Sequence, residues 1–148
     1  MAEQGNAPAQ VNLSNANSKG ESKKDNPPEI EDARKAAEQG DAQAQSYLGF
    51  VYSNGYGVAK DLVEAVKWYR KAAEQGDAIA QNYLGFVYSN GEGVAKDRVE
   101  GYAWINLAAV TDEGAKRVRE DIEKTMTAQQ IADGQKRSIE LSALIKKK

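Results

Sequence analysis

The chain repeats itself at a fixed spacing, and no other feature restricts its fold as tightly. Residues 37–61 read AEQGDAQAQSYLGFVYSNGYGVAKD and residues 73–97 read AEQGDAIAQNYLGFVYSNGEGVAKD, so only three of 25 positions differ. Those three are Gln43/Ile79, Ser46/Asn82 and Tyr56/Glu92, and Trp68 recurs 36 residues later as Trp104. A period in this range marks stacked supersecondary units, each too small to bury its apolar face alone.

Each unit reads as two helices. The first starts at Asp41, a good N-cap residue, and carries Ala44, Leu48 and Val51 at helical spacing. Ser53-Asn54-Gly55-Tyr56-Gly57 ends it, with glycines able to take the left-handed conformation. The second helix opens on Asp61 with Glu64 three residues on, the pattern of a capping box. Its apolar stripe is Ala65, Trp68, Tyr69, Ala72 and Ala73, and its charges lie mostly off that stripe on a solvated face. Gly49 and Gly85 fall inside first helices, where glycine costs roughly 1 kcal/mol relative to alanine, so close approach between helices is expected there. Leu48, Tyr52, Trp68, Leu84, Tyr88 and Trp104 are the expected core.

Residues 37–72 and 73–109 are therefore two full repeats, and residues 1–36 are an eroded third. Residues 2–10 (AEQGNAPAQ) match residues 37–45 at seven of nine positions, but Asp32-Ala33 stand where Trp68-Tyr69 do. This segment reads either as a polar terminal repeat that shields its neighbour or, over residues 1–25, as a disordered tail. A cap at Asp25 or Asn26 before Pro27 should start a helix that runs to about Gln39. Residues 110–148 leave the rhythm and read as two capping helices. The first carries Ala115, Val118 and Ile122; the second opens on a Thr127–Gln130 capping box and carries Ile131, Ile139, Leu141, Leu144 and Ile145. Two full repeats make a short array, which suits an oligomer or a piece of a longer array.

The run from Ala44 to Asp61, followed by Ala65, Trp68, Ala72, Ala73 and Gly76, resembles the Sel-one-like repeats, relatives of the tetratricopeptide repeats. The second copy departs from the pattern at Gly101 and Asp112. The resemblance implies an all-α fold, an α-solenoid of antiparallel helix pairs closed by C-terminal capping helices. It also implies a role as adaptor or scaffold in protein complexes. Cysteine-rich relatives are associated with β-lactam binding and hydrolysis, which makes a hydrolase of a cell-wall or β-lactam-like ligand the alternative function. Their repeats are stapled by cysteine pairs, and this chain has no cysteine.

Composition narrows the function in the same direction. Without Cys or His the chain has no disulfide, no thiolate or imidazole catalyst and no zinc site of the usual kind. No catalytic residue, metal site or cofactor is expected. Asp41, Asp77, Asp61 and Asp97 are accounted for by helix starts. A formal net charge of −2 gives no general pull toward nucleic acid, and no apolar run is long enough to insert into a membrane. Lys146-Lys147-Lys148 suits a helix C-terminus. The N-terminus lacks a signal-peptide pattern, so a soluble protein is expected, cytoplasmic or, after removal of a signal, periplasmic.

What remains is binding of a protein or peptide on the concave surface that first helices line in such folds. On a helical wheel Gln43, Ser46, Phe50 and Ser53 fall opposite the Ala44/Leu48/Val51 stripe, and Ile79, Asn82, Phe86 and Ser89 follow in the second repeat. Two of the three repeat differences lie on this face. Burial between repeats is the competing expectation for Phe50 and Phe86, with binding then moved to the loop edge around Tyr56 and Glu92.

Overall fold

A computed structural model describes residues 28–147. The expected cap at Asp25 or Asn26 and the rest of residues 1–27 lie outside them. The described residues hold seven helices and no strand: α1 (Pro28–Glu38), α2 (Ala42–Asn54), α3 (Leu62–Ala73), α4 (Ala78–Asn90), α5 (Arg98–Ala108), α6 (Glu113–Glu123) and α7 (Ala128–Lys147). They fall into two compact units, the first ending at Ala72 and the second beginning at Ala73.

In the first unit α1 opens with proline and two acidic residues in its first turn, which suits the positive end of the helix dipole. Asp41 then caps α2, its Oδ1 accepting from the Ala44 amide at 3.0 Å. Gly55 ends α2 at φ 71° and donates its N–H to the Val51 carbonyl. Asp61 donates its amide to the Tyr52 carbonyl at 2.9 Å, which folds α3 back antiparallel to α2. Ile30, Leu48 and Val51 are fully buried, and Tyr47, Val58 and Trp68 complete the core around them. A Cβ on Gly49 would stand 2.6 Å from the Tyr69 ring, so glycine at this cost in helix propensity makes room for the aromatic side chain.

The second unit repeats the plan and extends it. Asp77, Asp97 and Asp112 cap α4, α5 and α6. Both arms of the Thr127–Gln130 capping box form, at 3.0 and 2.9 Å. Helix α5 is the centre: Tyr102, Ala103, Trp104, Ile105 and Ala108 are all buried. Helix α7 runs beside it in the same direction, with Gly134 against the Tyr102 ring and Leu141 buried. Polar contacts join the last helices. The Tyr102 hydroxyl donates to Glu123 at 2.6 Å, Arg119 to Asn106 at 3.1 Å, and Asn106 to Ser138 at 2.9 Å. The Arg137 guanidinium forks onto Glu100 at 2.8 and 3.5 Å, and Arg98 reaches the Thr125 hydroxyl. Burial, aided by the bond to Glu123, pushes the Tyr102 phenol up to about 12, so it stays a donor.

The observed core departs from the expected one at two of its six positions. Leu48, Trp68, Leu84 and Trp104 are buried, but Tyr52 and Tyr88 are only half-buried. The Tyr52 hydroxyl instead accepts from Arg34 at 2.9 Å, with the guanidinium 5.9 Å from the ring centre, while Tyr47 fills the core. Val118, Ile139 and Leu144, on the two C-terminal helices, are exposed. Gln45 and Gln81, in contrast, are buried. Their Nε2 atoms donate to the carbonyls of Ala37 and Ala73 at 3.0 and 3.2 Å, satisfying the last turn of the preceding helix. Gln81→Leu keeps the volume but removes this buried hydrogen bond, leaving the Ala73 carbonyl with the Gly76 amide alone at 3.0 Å. The expected loss is about 1 kcal/mol, the net worth of one intramolecular hydrogen bond, and urea denaturation of the two proteins measures it.

Candidate functional site

Helices α2 and α4 begin and end alike, so equivalent residues of the two units occupy equivalent positions. The caps at Asp41 and Asp77, the left-handed glycines Gly55 and Gly91, and the buried Ala-Leu-Val stripes fix which side of each helix faces inward. In the first unit the opposite side carries exposed Gln43 and half-buried Ser46, Phe50 and Ser53. The Ser46 Oγ is buried without a hydrogen-bond partner, and Ser53 donates to the Phe50 carbonyl at 3.0 Å. Phe50 lies against Tyr56 of its own loop, ring centres 5.3 Å apart at 56°.

In the second unit Ile79 is 70% exposed and Phe86 is 51% exposed. They are seven residues apart, nearly two full turns, so both project from one side of α4. Asn82, half-buried, lies between them in the sequence. These three form an open strip. Ser89 does not join it: a Cβ on Gly101 would come within 2.4 Å of its Oγ, which places the serine in the contact between α4 and α5. Burial between repeats is not the fate of Phe86. Sequence reasoning missed Tyr83, whose ring centre lies 6.4 Å from that of Phe86, and missed that Tyr56 covers Phe50. The signal was present as the third difference between the copies.

The carboxylates offer a contrast. Asp41, Asp77, Asp61 and Asp97 each accept a backbone N–H at 3.0 Å in a first helical turn. Capping is the whole of their visible chemistry. Among the described residues, no group of three or more His, Cys, Asp or Glu is placed to hold a metal ion. No described helix is long and apolar enough to cross a membrane.

Comparison with known proteins agrees with the repeat architecture. The family model for the Sel1 repeat matches residues 33–41, 42–77 and 78–109, together just over half the chain. Among solved structures, a protective antigen of uropathogenic Escherichia coli, described as displaying an SLR fold, is 34% identical with a TM-score of 0.79. That match covers 95% of this chain and 30% of the antigen. A Sel1 repeat protein from Oxalobacter formigenes is 37% identical with a TM-score of 0.64, covering 80% of this chain and 49% of that one. The chain thus spans half or less of the length of these two relatives. No curated protein matches it. Three repeat matches and two SLR-fold likenesses, on a chain of antiparallel helix pairs, have one reading: the chain belongs to the Sel1 repeat family, which generally mediates protein–protein interaction.

Proposed function

We propose that this protein is a non-catalytic docking module whose first helices hold a protein or peptide segment. Its strongest docking surface is the α4 strip of Ile79, Asn82 and Phe86. The observation that carries the proposal is the exposure of Ile79 and Phe86 on one side of one helix. A single exposed apolar residue is ordinary on any surface. Two large ones spaced to meet the same partner, with an amide between them, match the pattern of interfaces in which few anchors supply most of the energy and polar neighbours set the register. Helix α2 offers the equivalent side through Gln43, Ser46, Phe50 and Ser53, with Phe50 already covered by Tyr56. It is the weaker surface for that reason.

The test is affinity capture from the source cells, with the parent and Phe86→Ala as parallel baits and circular dichroism to show that both are folded. Loss of a half-exposed ring from an anchor position should weaken the captured interaction at least tenfold, about 1.4 kcal/mol, with little change in stability. Partners retained equally by both baits would remove α4 from the interface.

A further inference from the structure

One side-chain difference near the two phenylalanines lies in the loops that follow α2 and α4. Those loops share a backbone. Gly55 and Gly57 have φ of 71° and 76°, and Gly91 and Gly93 have 75° and 78°. Tyr56 and Glu92 donate their amides to the Val51 and Val87 carbonyls at 3.1 and 3.0 Å. Asp61 and Asp97 close the loops on Tyr52 and Tyr88 at 2.9 and 2.8 Å. Residue 92 therefore occupies the place of residue 56, and what differs is the side chain. In the first unit that side chain is an aromatic ring that covers Phe50. In the second it is a carboxylate, and Phe86 is left half exposed. Among the described residues Glu92 makes no ion pair.

We infer that Glu92 and Phe86 form a receptor for a basic side chain, arginine before lysine, carried next to an apolar residue on the docked segment. The inference rests on the docking reading above and names the chemistry of its partner. A guanidinium is planar and weakly hydrated, so it lies flat on an aromatic face while its edge donates two hydrogen bonds to a carboxylate. An ammonium satisfies the charge but not the flat contact. The molecule pairs the same two groups internally, where the Arg34 guanidinium lies over the Tyr52 ring. The neighbouring apolar residue of the segment would meet Ile79. In the first unit Tyr56 removes both elements at once, covering the ring and supplying no charge.

The experiment selects a random peptide library displayed on phage against three baits, the parent, Glu92→Lys and Glu92→Tyr, and then measures binding of the enriched peptides to Phe86→Ala as well. Circular dichroism verifies that each bait is folded, and position 92 lies outside the helices, so all three should be. The parent should enrich peptides with arginine beside an aromatic or branched aliphatic residue. Glu92→Lys should exchange arginine for aspartate or glutamate in the enriched set. Glu92→Tyr, which rebuilds the covered ring of the first unit, should weaken the parent-selected peptides at least tenfold. Retention of those peptides by Glu92→Lys together with their loss by Phe86→Ala overturns the inference and leaves the docking surface standing. Peptides indifferent to both Glu92→Lys and Phe86→Ala overturn the inference and the surface together, and a parent bait that enriches nothing does the same.

Discussion

Trp104→Ala is expected to melt far below the parent protein or not to fold. Trp104 is 0% exposed and is the largest of the fully buried side chains. Gly101 and Ala108, one turn before and one turn after it, are small, so that side of α5 has little with which to fill the space left by an indole. Truncating a buried tryptophan to alanine costs about 3–5 kcal/mol through lost transfer energy plus the cavity. Whole domains are stable by only about 5–15 kcal/mol, and a unit of this size loses about 4–8 °C of Tm per kcal/mol. The shift should therefore exceed about 12 °C. Trp104→Phe keeps one ring in place and should fall between the two. Circular dichroism melts of the three proteins decide the matter: an alanine variant melting within a few degrees of the parent would mean that the indole is not the centre of the second unit.

The features that local chemistry dictates were legible in the sequence. Asp41, Asp61, Asp77 and Asp97 all accept a backbone N–H at a helix start, and Thr127 and Gln130 close the expected box. These are decided within four residues. The Ala44/Leu48/Val51 stripe was equally plain, since a helix with three apolar residues in register has one inward side. What lay beyond reach depends on distant partners. Tyr47 and Tyr52 flank that stripe on opposite sides, and periodicity alone cannot choose between them. Arg34, 18 residues away, decides by engaging the hydroxyl of Tyr52. The C-terminal helices show the same limit on a larger scale. Their apolar residues suggested an apolar cap, yet Val118, Ile139 and Leu144 face solvent. The contacts from Glu123, Asn106 and Glu100 to their partners span 21, 32 and 37 residues.

The candidate surface was legible in outline for a related reason. A helical wheel identifies the side of α2 or α4 that cannot be core, because the opposite side is already apolar. It does not tell whether that outward side is open. Ser89 fell on the wheel with Phe86 but lies against Gly101. Phe50 and Phe86 are the same residue at the same position, yet Phe50 meets Tyr56 of its loop while Phe86 meets Tyr83 and stays half exposed.

Gly101→Ala is expected to destabilise the protein, although helix propensity and the repeat itself both argue for alanine at this position. Alanine is better than glycine in a helix interior by about 1 kcal/mol, and Ala65 occupies the equivalent place in the first unit with no exposed surface. On those grounds alone the change should stabilise. The contact between α4 and α5 reverses the sign. A Cβ on Gly101 would stand 2.8 Å from the Gly85 carbonyl oxygen, 3.0 Å from the Ser89 amide nitrogen and 2.4 Å from the Ser89 Oγ. A hydroxyl can rotate aside, but a carbonyl and an amide held within α4 yield only if the two helices separate. The first unit avoids the conflict with a different pair of residues: Tyr69, its ring against Gly49, stands where the second unit has Ile105 against Gly85. The smaller side chain lets α5 approach α4, and the missing Cβ at residue 101 clears the way. Overpacking of this kind costs about 1–3 kcal/mol. With backbone as the obstacle the upper end applies, leaving a net loss of about 2 kcal/mol after the gain in propensity. Adding Ser89→Ala removes the side-chain obstacle and leaves the backbone one, so most of the loss should persist in the double variant. Urea denaturation of the single and double variants gives both numbers. A Gly101→Ala chain more stable than the parent would mean that helix propensity prevails and that α4 and α5 do not meet backbone to backbone.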